Sequence, residues 1–357
     1  MKSNISEKKF FLFLHNNDNE MSKFFKDPNL TEETYWRSII LLGHNTASYK
    51  FALGKTLLEE NFSSTNVKIE DLALPFVKNI CDHLKINKKQ IKRKNQGDFL
   101  NSCEKFNNSQ IAEDELKSIT IKKGFENVID AFHNVRSSEV PRFFEDNRKK
   151  KKEIILTDSF YKLKELDKFN NLHQEVESRW RLWGSAISEG INPIIMDPNT
   201  EDLLSIVDNE RRINVTSFRS AANGYQKGKC FYCPNKISIE SKTEGLCHVD
   251  HFFPFVLKKR FNFKNIDQIW NLVLSCQDCN NGSGGKFDRI PHLDFLDDLK
   301  IRNDSFLEST HPLRETIISQ TGLTNEDRIS FLQRFYNDAY EKIPSKWKPK
   351  SVNIENE

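Results

Sequence analysis

The sequence predicts a mainly helical protein with one small α+β module in its C-terminal third. Apolar residues recur at helical spacing through much of the N-terminal half. The stretch from Cys230 to Lys286 is different, because it holds two Cys-x-x-Cys pairs on either side of a polar segment that contains histidine. These observations divide the chain into a helical N-terminal domain (1–200), the module (201–300) and a C-terminal helical extension (301–357).

Length, charge and cysteine content limit the class of protein. The chain has 357 residues, 37% of them hydrophobic and 29% charged, which is enough for a sizeable core and is typical of two domains. The net charge of +3 is small, so binding of nucleic acid would depend on local patches. Seven cysteines, four of them in paired spacing, indicate metal sites in a reducing compartment. No apolar stretch reaches membrane-spanning length, and the Phe10–Leu14 run is too short for a signal peptide, so we expect a cytoplasmic protein with no membrane partner.

The first predicted helices begin near residue 31. The segment T-E-E-T carries a capping pattern, and apolar residues continue at helical spacing to Glu60, with a break at residues 43–45. Further helices are predicted at Leu72–Leu84, at Phe125–Val135 and from Leu172 onward. Basic runs at residues 87–95 and 148–152 can meet phosphates, but such runs are more often solvated surface, and both interpretations stay open.

The polar stretch at residues 197–200 is the predicted domain boundary, because helical periodicity fades and turn residues gather there. The segment 211–223 is predicted to be a helix that leads into the first cysteine pair. Arg219, Lys227 and Lys229 cluster close in sequence to the polar segment, which favours contact with phosphates. The tail from Pro344 onward is polar and is predicted to fray.

The module carries two sets of metal-ligand side chains. The thiolate set has the spacing in which short turns present four sulfurs to one tetrahedral zinc ion: Cys230, Cys233, Cys276 and Cys279. The second set offers oxygens and one imidazole: Asp250, His251, Asn271 and Asn280. Thiolates and oxygens suit different metals, so the segment is predicted to hold a structural zinc and, beside it, an exchangeable divalent ion such as magnesium.

The order of these motifs resembles the HNH endonucleases, the zinc-stapled branch of the ββα-metal nucleases. The matching features are an Asp-His pair, an Asn before an apolar triplet, and Cys-x-x-Cys-Asn. The resemblance covers residues 211–290 and implies a β-hairpin followed by a helix. By position it implies that Asp250 and Asn280 hold the divalent ion, that His251 is the general base and that Asn271 fixes the hairpin loop. Phrases further upstream are similar to some uncharacterised bacterial HNH proteins, which suggests defence against foreign DNA, with other defence-system proteins as partners.

Elementary chemistry agrees with these roles. Phosphodiester hydrolysis needs an activated water, a cation on the phosphoryl oxygens and a group that carries charge on the leaving oxygen. His251 can take a proton from water near neutral pH, and Asp250 with Asn280 brings only one negative charge, which leaves a bound magnesium ion electrophilic. Lys286 follows a flexible N-G-S-G-G run and can reach a phosphate as a point charge, although it lies further from Asn280 than the family's lysine does.

Two other functions fit the same residues. A zinc module that binds nucleic acid without turnover would use the four cysteines alone, but it gives no reason for the adjacency of Asp250 and His251 or for Asn280 directly after Cys279. An RNA-cleaving toxin would differ from a DNA endonuclease only in its substrate. Two copies could cut both strands of DNA, so a homodimer is also considered.

Overall fold

A computed structural model describes residues 31–350, apart from 44, 136–137, 167–168, 191, 208–210 and 309–311. The Phe10–Leu14 run and His44 therefore lie outside the described residues. The described chain is mainly helical with small antiparallel sheets, which confirms the coarse fold class predicted from the sequence. Within these residues, no helix combines the length and the apolar character that crossing a bilayer requires.

The elements are named in chain order. The helices are α1 (Glu32–Leu42), α2 (Tyr49–Glu59), α3 (Ile69–Ile86), α4 (Asp98–Asn107), α5 (Glu113–Ile119), α6 (Val128–Ala131), α7 (Arg148–Lys151), α8 (Asp158–Lys164), α9 (Phe169–Glu189), α10 (Phe218–Asn223), α11 (Val256–Phe261), α12 (Gln277–Asn280), α13 (Asp294–Glu308), α14 (Pro312–Thr321) and α15 (Asn325–Lys342). A π-helical turn spans Thr120–Gly124, and a 3₁₀ turn spans Ile269–Asn271. The strands are β1 (Asn66–Lys68), β2 (Asn134–Val135), β3 (Ser138–Glu139), β4 (Phe144–Asp146), β5 (Glu153–Leu156), β6 (Ile194–Met196), β7 (Asp202–Val207), β8 (Arg211–Ser217), β9 (His248–His251) and β10 (Leu272–Ser275).

Four predicted helical stretches can be compared with these elements. Helices α1, α2, α3 and α9 lie where the spacing of apolar residues predicts them. The predicted helix over Phe125–Val135 is mostly wrong, because only the single turn α6 forms there, between the π-helical turn and β2. Its apolar residues Phe125, Val128 and Ile129 are still buried, so the pattern reports burial correctly and helix length incorrectly.

Helix α9 holds the N-terminal helices and the later elements together. It packs on α2 and α1, and also on α10, β8 and α14. Its Glu175 accepts hydrogen bonds from Arg37 of α1, at 2.9 and 3.0 Å, and from Asn223 of α10, at 2.6 Å. All three side chains are buried, and such a fully paired charge fixes the position of each partner. Since α10 leads into the first cysteine pair, α9 positions the module.

The predicted helix at residues 211–223 is half wrong, because its first part is strand β8. The segment R-R-I-N-V-T-S alternates β-branched and polar residues, which favours a pleated strand over a helix. Strand β8 pairs with β7, and β7 pairs with β6, in an antiparallel sheet that has an irregularity at Leu203/Leu204. Only the second part of the predicted helix forms, as α10.

The predicted domain boundary falls in the turn between β6 and β7. Asp197 closes this turn, because its carboxylate accepts hydrogen bonds from the amides of Asn199 and Thr200, at 2.8 and 3.3 Å. One continuous cluster of buried hydrophobic residues runs from Trp36 to Trp347 and includes residues on both sides of the turn. The domain limits stay predictions, but a cut at residue 200 would separate two paired strands.

The tail after α15 does not fray over the described residues 344–350, so that prediction is wrong. Trp347 is buried, and its backbone exchanges hydrogen bonds with Ile290 and His292, both at 2.8 Å. The prediction of fraying rests on the polar composition of the tail and gives no weight to its one tryptophan. The burial of Trp347 is sufficient to hold the segment in place.

Candidate functional site

The candidate site is built on two paired strands and the short helix that follows them. Strands β9 and β10 are antiparallel, with His251 opposite Leu272 and Asp250 opposite Val273. All residues of β10 are buried, so this strand lies inside the module with no solvent-facing side. Helix α12 follows β10 directly and packs on β9. The chain order is therefore strand, long loop, strand and helix, with Asp250 and His251 at the end of the first strand.

The four paired cysteines come together at one end of these strands. The ligand sulfurs of Cys230, Cys233, Cys276 and Cys279 all lie within 4.8 Å of one another. Two of them, in Cys233 and Cys276, are 3.8 Å apart. Four sulfurs bound to one tetrahedral zinc at about 2.3 Å are about 3.8 Å from each other, so the arrangement is compatible with a structural zinc site.

The chemistry of the sulfur cluster also calls for a cation. The neighbouring Cys230 thiol and burial raise the pKa of Cys276 above its usual value. Thiolates packed this closely repel one another, and a bound metal ion both displaces their protons and neutralises their charge. Zinc would therefore join the turn after α10 to the start of α12 and hold β10 between them.

The side chain of Gln226 fastens the first cysteine pair to β10. Its amide nitrogen donates to the Leu274 carbonyl and its amide oxygen accepts from the Leu274 amide, both at 2.8 Å. The Phe231 amide donates to the same carbonyl at 2.9 Å. One glutamine thus takes the place of a neighbouring strand at this edge of β10.

Asn271 holds the loop that joins β9 to β10. Its side-chain oxygen accepts from the Phe253 amide at 2.8 Å, and its side-chain nitrogen donates to the carbonyls of Phe253 and Ile266 at 3.0 and 2.9 Å. The residue is 0% exposed, so water cannot satisfy its polar atoms and these three hydrogen bonds must do so. From α13, Arg302 and Asn303 donate to the Trp270 carbonyl at 3.0 and 3.1 Å, next to Asn271.

Asp250 lies inside the module between two donors. The Tyr232 hydroxyl donates to Oδ2 at 2.8 Å, and the ammonium of Lys286 lies 3.2 Å from Oδ1. Burial, followed by the charge of Asp250, raises the pKa of Tyr232 well above its usual value, so the phenol keeps the proton that it donates. Tyr232 stands between the cysteines of the first pair, which links the sulfur cluster to the carboxylate.

His251 lies at the edge of the site, with its side chain 23% exposed. Burial lowers the pKa of the imidazole, and the charges of Asp250 and Asp267 oppose that shift. Its Nε2 is 3.4 Å from Asp267 Oδ1, and among the described residues no group hydrogen-bonds to that nitrogen in good geometry. Nε2 itself is buried, so this neutral imidazole would accept a proton from a water that enters the site beside it.

Lys286 joins the strand end to the helix end. Its ammonium also donates to the His251 carbonyl at 2.9 Å, while its amide donates to the Cys279 carbonyl at 2.7 Å. Asn280 is half-buried at the last residue of α12, and its carbonyl accepts from the Phe287 amide at 2.9 Å. In the described part of the chain no hydrogen bond joins the Asn280 side chain to Asp250 or His251.

The donor types of this region suit a hard cation, with Lys286 as its competitor. A carboxylate oxygen and an amide oxygen are the ligands that magnesium prefers. Each carboxylate oxygen of Asp250 has a lone pair beyond the one that its present donor uses. A divalent ion at Asp250 would nonetheless meet the positive charge of Lys286 close by.

Of the predicted phosphate contacts, Lys286 and Arg219 are placed differently from the prediction. Lys286 is 0% exposed and is held by Asp250, so it is no surface point charge. Arg219 pairs with Glu201 at 2.7 Å and donates to the Cys247 carbonyl at 3.1 Å. Lys229 is exposed and Lys227 is half-buried, so these two predictions stay open.

Sequence reasoning missed several residues around the site. Tyr232 and Trp347 form one group, because their rings meet edge to face at 5.1 Å and the Trp347 indole donates to the Gly284 carbonyl at 2.8 Å. Asp267 and the basic helix α11 form another group, beside His251. The run F-V-L-K-K-R-F-N-F-K is visible in the sequence as four cations without an acid, and that signal could have found α11.

Comparison with known proteins leaves the family open. No protein-family model matches the chain, and no match is found among the curated proteins or the solved structures.

Proposed function

We propose that this chain is a metal-dependent endonuclease of the HNH type that hydrolyses phosphodiester bonds in DNA. The observation that carries the proposal is the placement of Asp250 and His251 at the end of β9, with α12 and Asn280 packed against that strand. The cysteine cluster at the other end of β10 would hold zinc as a purely structural ion. Strand, strand and helix follow in the order that the HNH resemblance implies.

His251 is the proposed general base. It combines partial exposure, an imidazole that burial keeps neutral, and a ring nitrogen without a well-aligned partner. These are the properties required to take a proton from an attacking water. A divalent ion, held by Asp250 and Asn280, would supply positive charge to the phosphoryl oxygens. Asn271 would act indirectly, by holding the loop through its three hydrogen bonds.

One observation favours a second candidate function, a zinc module that binds nucleic acid without cleaving it. Asp250 already has a countercharge in Lys286 and a hydrogen bond from Tyr232, so its charge is balanced without a metal. In that case the Asp250–Lys286 pair would serve folding alone. An RNA-cleaving toxin, a role in defence with partner proteins and a homodimer rest on the resemblance and are distinguished only by experiment.

The deciding experiment incubates purified protein with supercoiled DNA, linear DNA and RNA in magnesium, manganese or nickel. We expect the wild-type protein to nick or cut DNA and the His251→Ala protein to be inactive with its zinc content unchanged. His292→Ala is the matched control, because His292 is also partly exposed and lies 3.1 Å from an aspartate, Asp294. Full activity of His251→Ala would remove this histidine from the mechanism. Binding without cleavage in all three metals would support the second candidate, and cleavage of RNA alone would support the toxin.

A further inference from the structure

Helix α11 presents an unbalanced basic surface beside His251. Between Asp250 and Asp267 the chain has no acidic residue, whereas it has four cations: Lys258, Lys259, Arg260 and Lys264. All four are exposed. Lys258 pairs with Asp267, but among the described residues Lys259, Arg260 and Lys264 make no ion pair. Three neighbouring positive charges therefore face solvent without a countercharge from the described part of the chain.

Aromatic contacts connect this surface to the proposed general base. The ring of Phe255 lies 5.5 Å from the imidazole of His251. The ammonium groups of Lys258 and Lys259 lie 5.5 and 5.2 Å from the centre of the same ring. Cation–π attraction favours lysine positions over the ring, so Lys259 is held on the side of α11 that faces the candidate site. The helix ends at Phe261, and the C-cap residue Asn262 adopts the left-handed conformation with a φ of 57°.

We propose that α11 binds the phosphate backbone of duplex DNA next to the bond that is cleaved, with Lys259 and Arg260 as the contacting cations. This inference rests on the proposed function, because the site beside α11 is the one assigned to DNA cleavage. Backbone contacts from lysine and arginine fix the register of a nucleic acid without reading its sequence. The surface supplies that kind of contact, since Lys259 and Arg260 are exposed and make no ion pair with another described residue.

The other basic runs of the chain differ from α11 in their surroundings. In helix α7, Arg148 is tied to Asp130 and Asp146, both at 2.8 Å. Two exposed lysines near it, Lys149 and Lys152, line a cavity of about 630 Å³ together with those aspartates and with Glu70 and Glu126. Carboxylates this close weaken the attraction for a phosphate. Lys149 of α7 and Lys152, which follows α7, therefore make a matched control for Lys259 and Arg260, with the same change in net charge.

The test measures binding of a short DNA duplex across a series of salt concentrations. His251→Ala serves as the parent protein, since it prevents cleavage without a chelator that would remove zinc. Each lost phosphate contact lowers the slope of log affinity against log salt by about 0.9 for duplex DNA. We expect Lys259→Gln/Arg260→Gln to lower the slope by about 2 and to weaken binding equally for unrelated sequences. Lys149→Gln/Lys152→Gln should leave the slope unchanged.

Several outcomes would overturn the inference. An unchanged slope for the α11 variant, an equal loss in both variants, or no binding by the parent protein would each do so. A loss seen only with single-stranded DNA or only with RNA would overturn the assignment to duplex DNA. Cleavage by the wild-type protein is measured in parallel: cleavage with an unchanged slope rejects the α11 surface alone, whereas a lowered slope without cleavage rejects the nuclease alone. Zinc content and thermal unfolding of each variant establish that it is folded.

Discussion

Replacing Lys286 with methionine should destabilise the protein strongly, because a buried carboxylate would lose its countercharge. The Lys286 ammonium lies 3.2 Å from Asp250 Oδ1, and the two side chains are 0% and 8% exposed. The ammonium also donates to the carbonyls of His251 and Phe287, at 2.9 and 3.3 Å. Methionine keeps an unbranched, flexible side chain but removes the charge together with these two hydrogen bonds, so a double-mutant cycle is needed to isolate the ion pair.

The expected magnitude follows from burial. Removing one partner of a buried ion pair costs about 3–5 kcal/mol. The hydrogen bond from Tyr232 to Asp250 remains, so we expect a loss near the lower end, about 3 kcal/mol. Lys78→Met is the matched control: Lys78 lies 2.8 Å from Glu113, but these side chains are 48% and 49% exposed. Solvent screening should keep that loss below about 1 kcal/mol.

Urea denaturation, followed by tryptophan fluorescence with zinc and a reducing agent held constant, measures the free energy of unfolding. The double variant Asp250→Asn/Lys286→Met removes both charges and should recover most of the lost stability. With Asp250→Asn as the second single variant, the double-mutant cycle should then give a coupling of at least about 2 kcal/mol. A loss for Lys286→Met no larger than that for Lys78→Met, or the absence of coupling, would refute the reasoning.

The same variants test the proposed divalent ion at Asp250. If Asp250 is a ligand, the ammonium of Lys286 and a divalent cation repel each other across its carboxylate. Lys286→Met should then bind manganese more tightly than the wild-type protein does, and Asp250→Asn/Lys286→Met should lose that binding. Isothermal titration calorimetry distinguishes this result from a purely structural pair, for which the three proteins would bind manganese alike.

Other predictions concern the sulfur cluster, the loop and the N-terminal core. Cys276→Ser should bind no zinc, as measured by elemental analysis, and should unfold at a lower urea concentration. The control is Cys81→Ser, which replaces a buried thiol outside the cluster and should retain zinc. Asn271→Ala removes three buried hydrogen bonds and should lower the free energy of unfolding by about 3 kcal/mol. Backbone amides of residues 252–270 should then exchange hydrogen faster, and unchanged protection of these amides would contradict the role of Asn271 in the loop. Burial lowers the pKa of His133 from 6.5 to about 3 in the folded protein. As the pH falls below 6.5 the unfolded chain binds a proton before the folded one does, so the free energy of unfolding decreases, by about 2 kcal/mol at pH 5. His133→Gln keeps a hydrogen-bond acceptor and should flatten this pH dependence, and an unchanged slope would contradict the assignment.

Local patterns predicted what depends on local spacing. The helical spacing of apolar residues locates α1, α2, α3 and α9, because each buries one continuous face in the core. The Cys-x-x-Cys spacing likewise predicts a four-sulfur cluster, since each pair is one short turn and the metal geometry dictates the rest.

Contacts between residues distant in sequence are not predicted by such local patterns. The predicted helix at 211–217 is strand β8: its alternation of β-branched and polar residues favours a strand only weakly, and pairing with β7 fixes the extended conformation. The burial of Lys286 was missed for a similar reason. A lysine after a glycine-rich run has the pattern of an exposed cation, and only the carboxylate of Asp250, distant in sequence, explains why it turns inward.

The tail shows how the candidate site depends on parts of the chain that no motif marks. Trp347 packs against Tyr232, which donates to Asp250, and the Trp347 indole holds the Gly284 carbonyl in the run that leads to Lys286. Trp347 lies 97 positions after Asp250 in the sequence. It nonetheless helps to position both donors to the carboxylate, Tyr232 by ring packing and Lys286 through Gly284. Since Tyr232 also sits between two zinc-competent cysteines, the sulfur cluster and the C-terminal tail act on Asp250 through one phenol. The hydrogen-bond partners of Asp250 therefore depend on the folding of the whole module, and a change in the sulfur cluster or in the tail should reach the site without altering the side chain of His251.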